Sequence, residues 1–393
     1  MLPDHPIITS EEGSDETKQL IGLQQQIARL EALLDSSRQI HGTIHLNDVL
    51  SAVLTIAVRE LELLGAGYTS YDVAYGEPFP ADLSAPGVHH FIIQSKSGEP
   101  LTDLLVYAGA HRILTLEDTD FLEHLAVQAG VAIENAVYHE RAIQWERVQR
   151  DLSAAREIQL SLVPNVMPEI AGYTIAVRFN PCYEVGGDYL DILPYGDDQH
   201  LLVLADVAGK GLASALIGNA FRSALRAMAA TRVPIDEMAT RLNDLQYGEG
   251  PEARRRYLTA AFLLLHPSQH TISAVNAGHV PVLLIPGDGA ESTVISSSGP
   301  PIGILPWVPG MEYKLETHSF PPGARLLLCT DGITETAYEE QEFTLQGVEF
   351  SLRNATCTDC DGLLDSLWRD VLAFARGNPQ EDDMTALALI RHS

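Results

Sequence analysis

Gly186-Gly187-Asp188-Tyr189-Leu190-Asp191 and Leu201-Leu202-Val203-Leu204-Ala205-Asp206-Val207-Ala208-Gly209-Lys210-Gly211 carry one motif twice, an Asp beside glycines at the edge of an apolar run. Two later segments repeat it: Leu326-Leu327-Leu328-Cys329-Thr330-Asp331-Gly332, and Asp382-Asp383-Met384-Thr385 leading into Ala386-Leu387-Ala388-Leu389-Ile390. A solid apolar run bounded by turn residues predicts a strand buried on both faces. An Asp at its end points into a loop, where a neighbouring Gly lets backbone or ligand come close. Asp188, Asp206, Asp331 and Asp382 therefore point to one shared task, and hard divalent cations want such oxygen ligands. Taken singly, each Asp reads equally as a strand-end turn or cap.

Working outward, the spacing predicts strands at Thr174–Phe179, Asp188–Leu193, Leu201–Val207, Thr259–His266, Thr271–Ala277, Pro281–Ile285, Arg325–Thr330 and Thr385–Arg391. Helical patterns cover Ala213–Ala230, Ile235–Gln246 and Asp361–Arg376. Many apolar strands with few helices suggest two sheets packed together with helices outside.

The first half reads differently. Residues 1–16 look like a disordered lead, and Leu20, Leu23, Ile27, Leu30 and Leu34 recur in steps of three and four across a 17–39 helix. That seam fits either a coiled-coil partner or the helix's own domain. A second helical pattern runs from His45 to Leu64, with Gly65-Ala66-Gly67 expected to stop it. Strand-like segments follow at Tyr68–Ala74, His90–Gln94 and Thr102–Ala108. A helix capped by Thr115 or Thr119 then opens near Leu116. It has no breaker before Val163-Pro164. Tyr138, Trp145, Val148, Leu152, Ala155 and Leu162 form its imperfect seam, interrupted by Arg141 and Gln159. Such a helix suits joining two domains and pairing with its twin.

The totals narrow the class. At 393 residues, two domains plus linkers are expected. A formal charge of -28 argues against nucleic-acid and anionic-membrane binding, which need a basic footprint. The start is polar and acidic, unlike a signal peptide, and no apolar stretch approaches the roughly 20 residues that span a bilayer. A cytoplasmic location is expected. Four cysteines make no disulfide framework. Cys357 and Cys360 have zinc spacing but lack a second pair. Gly209-Lys210-Gly211 before a helix could bind anions through its amides, without P-loop spacing. His89, His90 and His111 read as solvated loop histidines rather than ligands.

Two resemblances add to this. LEDTDFLEHLAVQAGVAIENA (116–136) resembles the closing helix of a GAF domain, over about residues 40–140. The ordered blocks AAREIQLSLVP, EVGGDYLDIL, LLVLADVAGKGLASALI, YLTAAFLLL, VNAGHVPVLLI, GPPIGILP, LLLCTDGITETA and EDDMTALALI resemble a PPM-type (protein phosphatase 2C-like) serine/threonine phosphatase of the SpoIIE/RsbU branch. The expected fold class is α+β: a GAF-like sensor domain (40–137), a helical connector (138–163) and a C-terminal αββα sandwich (164–393) of two antiparallel sheets flanked by helices.

The second resemblance implies two Mn2+ or Mg2+ ions held by Asp188, Asp206, the Val207 carbonyl, Asp331 and Asp382, with Asp383 the rival of Asp382. Two such ions can bridge a water, lower its pKa and aim it at phosphorus, without a phosphoenzyme. Asp191 would be an outer acceptor, and His279 either a proton donor to the leaving oxygen or a structural donor at a strand turn. Arg178 is a weak candidate for phosphate contact. The implied substrate is a phosphorylated STAS-type anti-sigma-factor antagonist, in stress or sigma-factor signalling, acted on by a homodimer joined through its helices. The rival functions are a catalytically silent signalling scaffold and a small-phosphoester hydrolase.

Overall fold

The computed structural model describes residues 34–392. The chain divides into two compact units, Met1–Val148 and Gln149–Ser393. The expected lead at 1–16 and the seam residues Leu20, Leu23, Ile27 and Leu30 lie outside the described residues; residues 34–40 are helical, as expected. Among the described residues no helix is long and apolar enough to cross a membrane.

In the first unit, α1 (Leu46–Glu60) buries Val49, Leu50, Val53, Leu54 and Ala57. An antiparallel sheet follows, ordered β2-β1-β4-β3, from β1 (Gly65–Tyr68), β2 (Ala74–Gly76), β3 (Val88–Gln94) and β4 (Pro100–Tyr107). Gly65-Ala66-Gly67 is thus a strand and not merely a helix stop. A side chain at Gly65 would fall 2.4 Å from the Glu77 carbonyl of the neighbouring strand end, so only glycine lets β2 approach. The long helix α2 (Leu116–Leu162) opens with a reciprocal cap: Asp118 N–H donates to Thr115 Oγ1 at 3.1 Å, and Thr115 N–H to the Asp118 carboxylate at 3.0 Å. It buries Phe121, Leu122, Leu125, Ala129 and Ile133, and its last fully buried residue is Ala136.

The second unit is a sandwich of two antiparallel five-stranded sheets. One runs β12-β9-β8-β7-β6, from β6 (Tyr189–Pro194), β7 (His200–Val207), β8 (Leu258–His266), β9 (Thr271–Ala277) and β12 (Glu316–Ser319). The other runs β11-β10-β13-β16-β5, from β5 (Tyr173–Asn180), β10 (Val282–Ile285), β11 (Thr293–Ile295), β13 (Arg325–Cys329) and β16 (Met384–Arg391). Leu202, Leu204 and Leu263 of one sheet meet Leu326, Leu328, Leu387 and Leu389 of the other in a shared core. Each such buried side chain contributes about 1.5–3 kcal/mol over leaving it exposed.

Residues of opposite parity cover the outer faces. Val203, Ala205, Val207 and Phe262 pack under α3 (Leu212–Ala230) and α4 (Ile235–Gly248). Leu327, Ala386 and Ala388 pack under α7 (Thr344–Asn354) and α8 (Cys360–Ala375). Two short helical turns, α5 (Pro251–Arg254) and α6 (Asp331–Thr334), complete the numbering, with a small hairpin of β14 (Ala337–Tyr338) and β15 (Gln341–Glu342). Strands buried on both faces explain why the runs looked solid rather than alternating. Helix, sheet, sheet, helix is the expected layering.

Candidate metal centre

The acidic residues arrive from both sheets. Asp206 sits at the end of β7, cross-strand from Thr259, and Asp188 immediately precedes β6. Asp331 opens the single turn α6 after β13, and Asp382 and Asp383 lead into β16. Sandwich packing thus gathers side chains that lie far apart in sequence.

Asp188 is buried, and one of its carboxylate oxygens accepts from Thr330 Oγ1 at 2.9 Å and from the Thr385 hydroxyl. Burial and the nearby Asp206 and Asp383 charges push its carboxyl well above the ordinary range, against those two hydroxyl bonds. Burial likewise raises Asp206 to about 7, helped by Asp331, Asp382 and Asp383; a hydrogen bond with Asp188 opposes the rise. Asp331 is raised by burial and by Asp382. These groups are crowded anions, and nearly all of their shifts have one physical origin: negative charge removed from water and brought together.

The surrounding backbone is built to allow this crowding. A Cβ on Gly187 would lie 2.9 Å from the Val207 carbonyl oxygen and 3.3 Å from Asp206 Oδ1. A Cβ on Gly186 would lie 2.3 Å from Asp383 Oδ2. The Gly-Gly pair is therefore a space requirement of the site.

Asp382 and Asp383 differ in kind. Asp383 is buried, its two oxygens accepting from Cys182 N–H at 2.8 Å and Gly187 N–H at 2.7 Å. Asp382 is half-exposed and faces Lys210 Nζ at 3.2 Å, which also donates to the Glu381 carbonyl at 2.5 Å. Asp382 thus carries the more available carboxylate, while Asp383 ties the glycine segment to the entry of β16.

The other candidates lie differently. Asp191 is fully buried, gripped by Arg226 through Nε at 2.7 Å and Nη2 at 2.9 Å and by the Tyr189 hydroxyl; its carboxylate is engaged away from the cluster. His279 is buried, with Nδ1 2.8 Å from Thr259 Oγ1 and its backbone N–H donating to Asn276 Oδ1 at 2.8 Å. Burial lowers its pKa to about 4, against a weak opposing effect of the Cys329 backbone, and Nε2 makes no full hydrogen bond. A neutral, walled-in ring bonded to Thr259 is a poor proton source. Arg178 pairs with Asp365 and lies over Trp368, on the helix-covered side of its sheet. Cys357 and Cys360 are both free thiols.

Among the described residues no three Asp, Glu, His or Cys side chains form a finished ligand shell. Instead Asp188 turns to hydroxyls, Asp382 to Lys210 and Asp383 to amides. The donor set still fits hard divalent cations: all oxygen, anionic and clustered. Three contributors were not foreseen. Thr330 stands beside Asp331, Thr385 two residues after Asp383, and Gln159 at a polar break in an apolar seam.

Comparison with known proteins agrees with the fold. The family model described as stage II sporulation protein E matches residues 196–392, a span containing Asp206, Asp331 and Asp382. Protein IcfG of Synechocystis sp. is 26% identical over 270 residues, covering 62% of this chain and 42% of that relative. Phosphoserine phosphatase RsbP of Bacillus subtilis is 28% identical over 196 residues, covering 48% of this chain and 46% of that relative. The chain therefore spans less than half the length of either. Among solved structures, the SiaA-PP2C domain of Pseudomonas aeruginosa superposes with a TM-score of 0.55 at 20% identity, over 64% of this chain and 100% of that one.

Proposed function

This chain belongs to the stage II sporulation protein E family, and on that premise we propose that its second unit is a divalent-metal-dependent phosphoserine/phosphothreonine protein phosphatase. The observation that carries the reading is the convergence of Asp188 and Asp206: burial and neighbouring aspartates raise both carboxyl groups. Asp188, Asp206, the Val207 carbonyl, Asp331 and Asp382 would hold two Mn2+ or Mg2+ ions. Such ions supply an activated water nucleophile and offset the charge of an approaching phosphate.

The chain's own residues prepare that place. The Thr330 and Thr385 hydroxyls both bond one oxygen of Asp188, which orients the carboxylate. Asp383 holds the glycine segment by two amides. Lys210 keeps Asp382 compensated, and is a cation beside the site in a chain whose net charge of -28 repels phosphoproteins.

The finer reading takes the substrate to be a phosphorylated STAS-type antagonist in the cytoplasm. Support for it lies in the kinship with a phosphoserine phosphatase named RsbP. The helix–sheet–helix unit supports a GAF-like regulatory domain, acting through α2. The test is phosphate release from an aryl phosphate and from a phosphoserine STAS domain at increasing Mn2+. Asp206→Ala should lower turnover by at least about a thousandfold while the variant stays folded. Unchanged turnover in that variant would end the two-metal reading.

A further inference from the structure

We infer that Gln159 is a positioning residue of the metal centre, an inference that rests on the metal reading above. Its side-chain amide, near the end of α2, bonds both backbone polar groups of one residue. Nε2 donates to the Gly186 carbonyl at 2.8 Å, and Oε1 accepts from the Gly186 N–H at 3.0 Å. Gly186 lies two residues before Asp188 and one before Gly187, whose N–H bonds Asp383 and where an added Cβ would lie 2.9 Å from the Val207 carbonyl oxygen. One helical turn earlier, Arg156 Nη1 donates to the Tyr183 carbonyl at 3.1 Å.

The segment between β5, which ends at Asn180, and β6, which starts at Tyr189, has no ladder to satisfy its backbone. Any buried loop needs partners for those groups. Here the partners come from the helix on one side and Asp383 on the other. Packing alone would call for an apolar side chain at position 159. A glutamine is what supplies a donor and an acceptor together at that reach. The amide clamps the backbone that presents Asp188, so a turn or slide of the last part of α2 carries Asp188 with it. The polar break in the apolar seam is thereby explained: position 159 serves the carboxylate cluster rather than a partner helix.

The test is calorimetric titration of the full chain with Mn2+, beside urea unfolding of each variant. Gln159→Met keeps length and helix propensity but loses both bonds. Gln159→Glu keeps an acceptor and loses the donor, and serves if the Met variant folds poorly. Arg156→Met, which loosens the same loop further from Asp188, is the comparison. Both Gln159 variants should bind Mn2+ about tenfold or more weakly, and Arg156→Met should stay within about threefold of wild type. Gln159 variants within about threefold of wild type, or an equal loss in Arg156→Met, would overturn the inference. A wild-type chain that binds no Mn2+ would instead remove the metal reading, and this inference with it.

Discussion

A buried carboxylate beside another carboxylate is unfavourable until a proton or a cation joins them, and Asp188 and Asp206 are held in that condition. Buried His279 is the opposite case, held neutral with its pKa lowered to about 4 from 6.5. The unfolded chain binds that proton more readily, so this residue's contribution is present above the unfolded value and is lost as pH falls toward about 4. Between about pH 7.5 and about pH 5, wild type should lose about 2 kcal/mol more unfolding free energy than His279→Gln, with metal chelated. Equal losses in urea titrations of the two proteins would show that the ring is not buried as described. The aspartates were legible because each ends an apolar run beside glycine. Thr330, Thr385 and Gln159 were not, because a lone polar residue does not show which distant backbone or carboxylate it will meet.

Helix α3 is tied to the sheet beneath it by a charged contact at β6, where the fully buried Asp191 receives both Nε and Nη2 of Arg226. Breaking a buried pair from one side leaves an uncompensated charge, whereas an exposed pair is worth little. Arg226→Met should therefore lower stability by about 2–3 kcal/mol, somewhat less than a fully enclosed pair because the arginine is half-exposed. Arg241→Met, which removes an exposed partner of Glu237, should change it by less than about 0.5 kcal/mol. Comparable urea midpoints for the two variants would contradict this ranking. Most long strands were visible in the sequence to within a residue or two. The short edges β11 and β12 were not, β11 having only three residues and β12 four with none apolar. Helix α7 was also missed, its few buried residues Val348, Ser351 and Leu352 being too sparse to show a period. β1 was hidden by its glycines, which on composition alone read as a stop.

For the whole molecule, the layering of the second unit followed from strands apolar on both faces, which must lie between two layers. Oligomeric state is a separate matter, and there the exposed residues of α2 are informative. Tyr138 and Trp145 are 62% and 66% exposed, and with Val148 they keep three/four spacing, the pattern of a helix that pairs with its twin. We predict that the full chain sediments as a dimer and that Trp145→Glu shifts it to monomer at the same concentration; a monomeric wild type would refute this.

The most direct measurement is calorimetric binding of Mn2+ to wild type and Asp331→Ala, repeated in buffers of different ionisation enthalpy. Asp206 is raised to about 7, so its carboxyl is largely protonated just below neutrality and must lose that proton to hold a cation. Wild type should bind Mn2+ with proton release that is larger at about pH 6 than at about pH 8, and Asp331→Ala should lose at least one ion. Wild-type binding with no proton release at either pH, or an unaltered isotherm in the variant, would contradict the assignment of this carboxylate cluster as a metal centre.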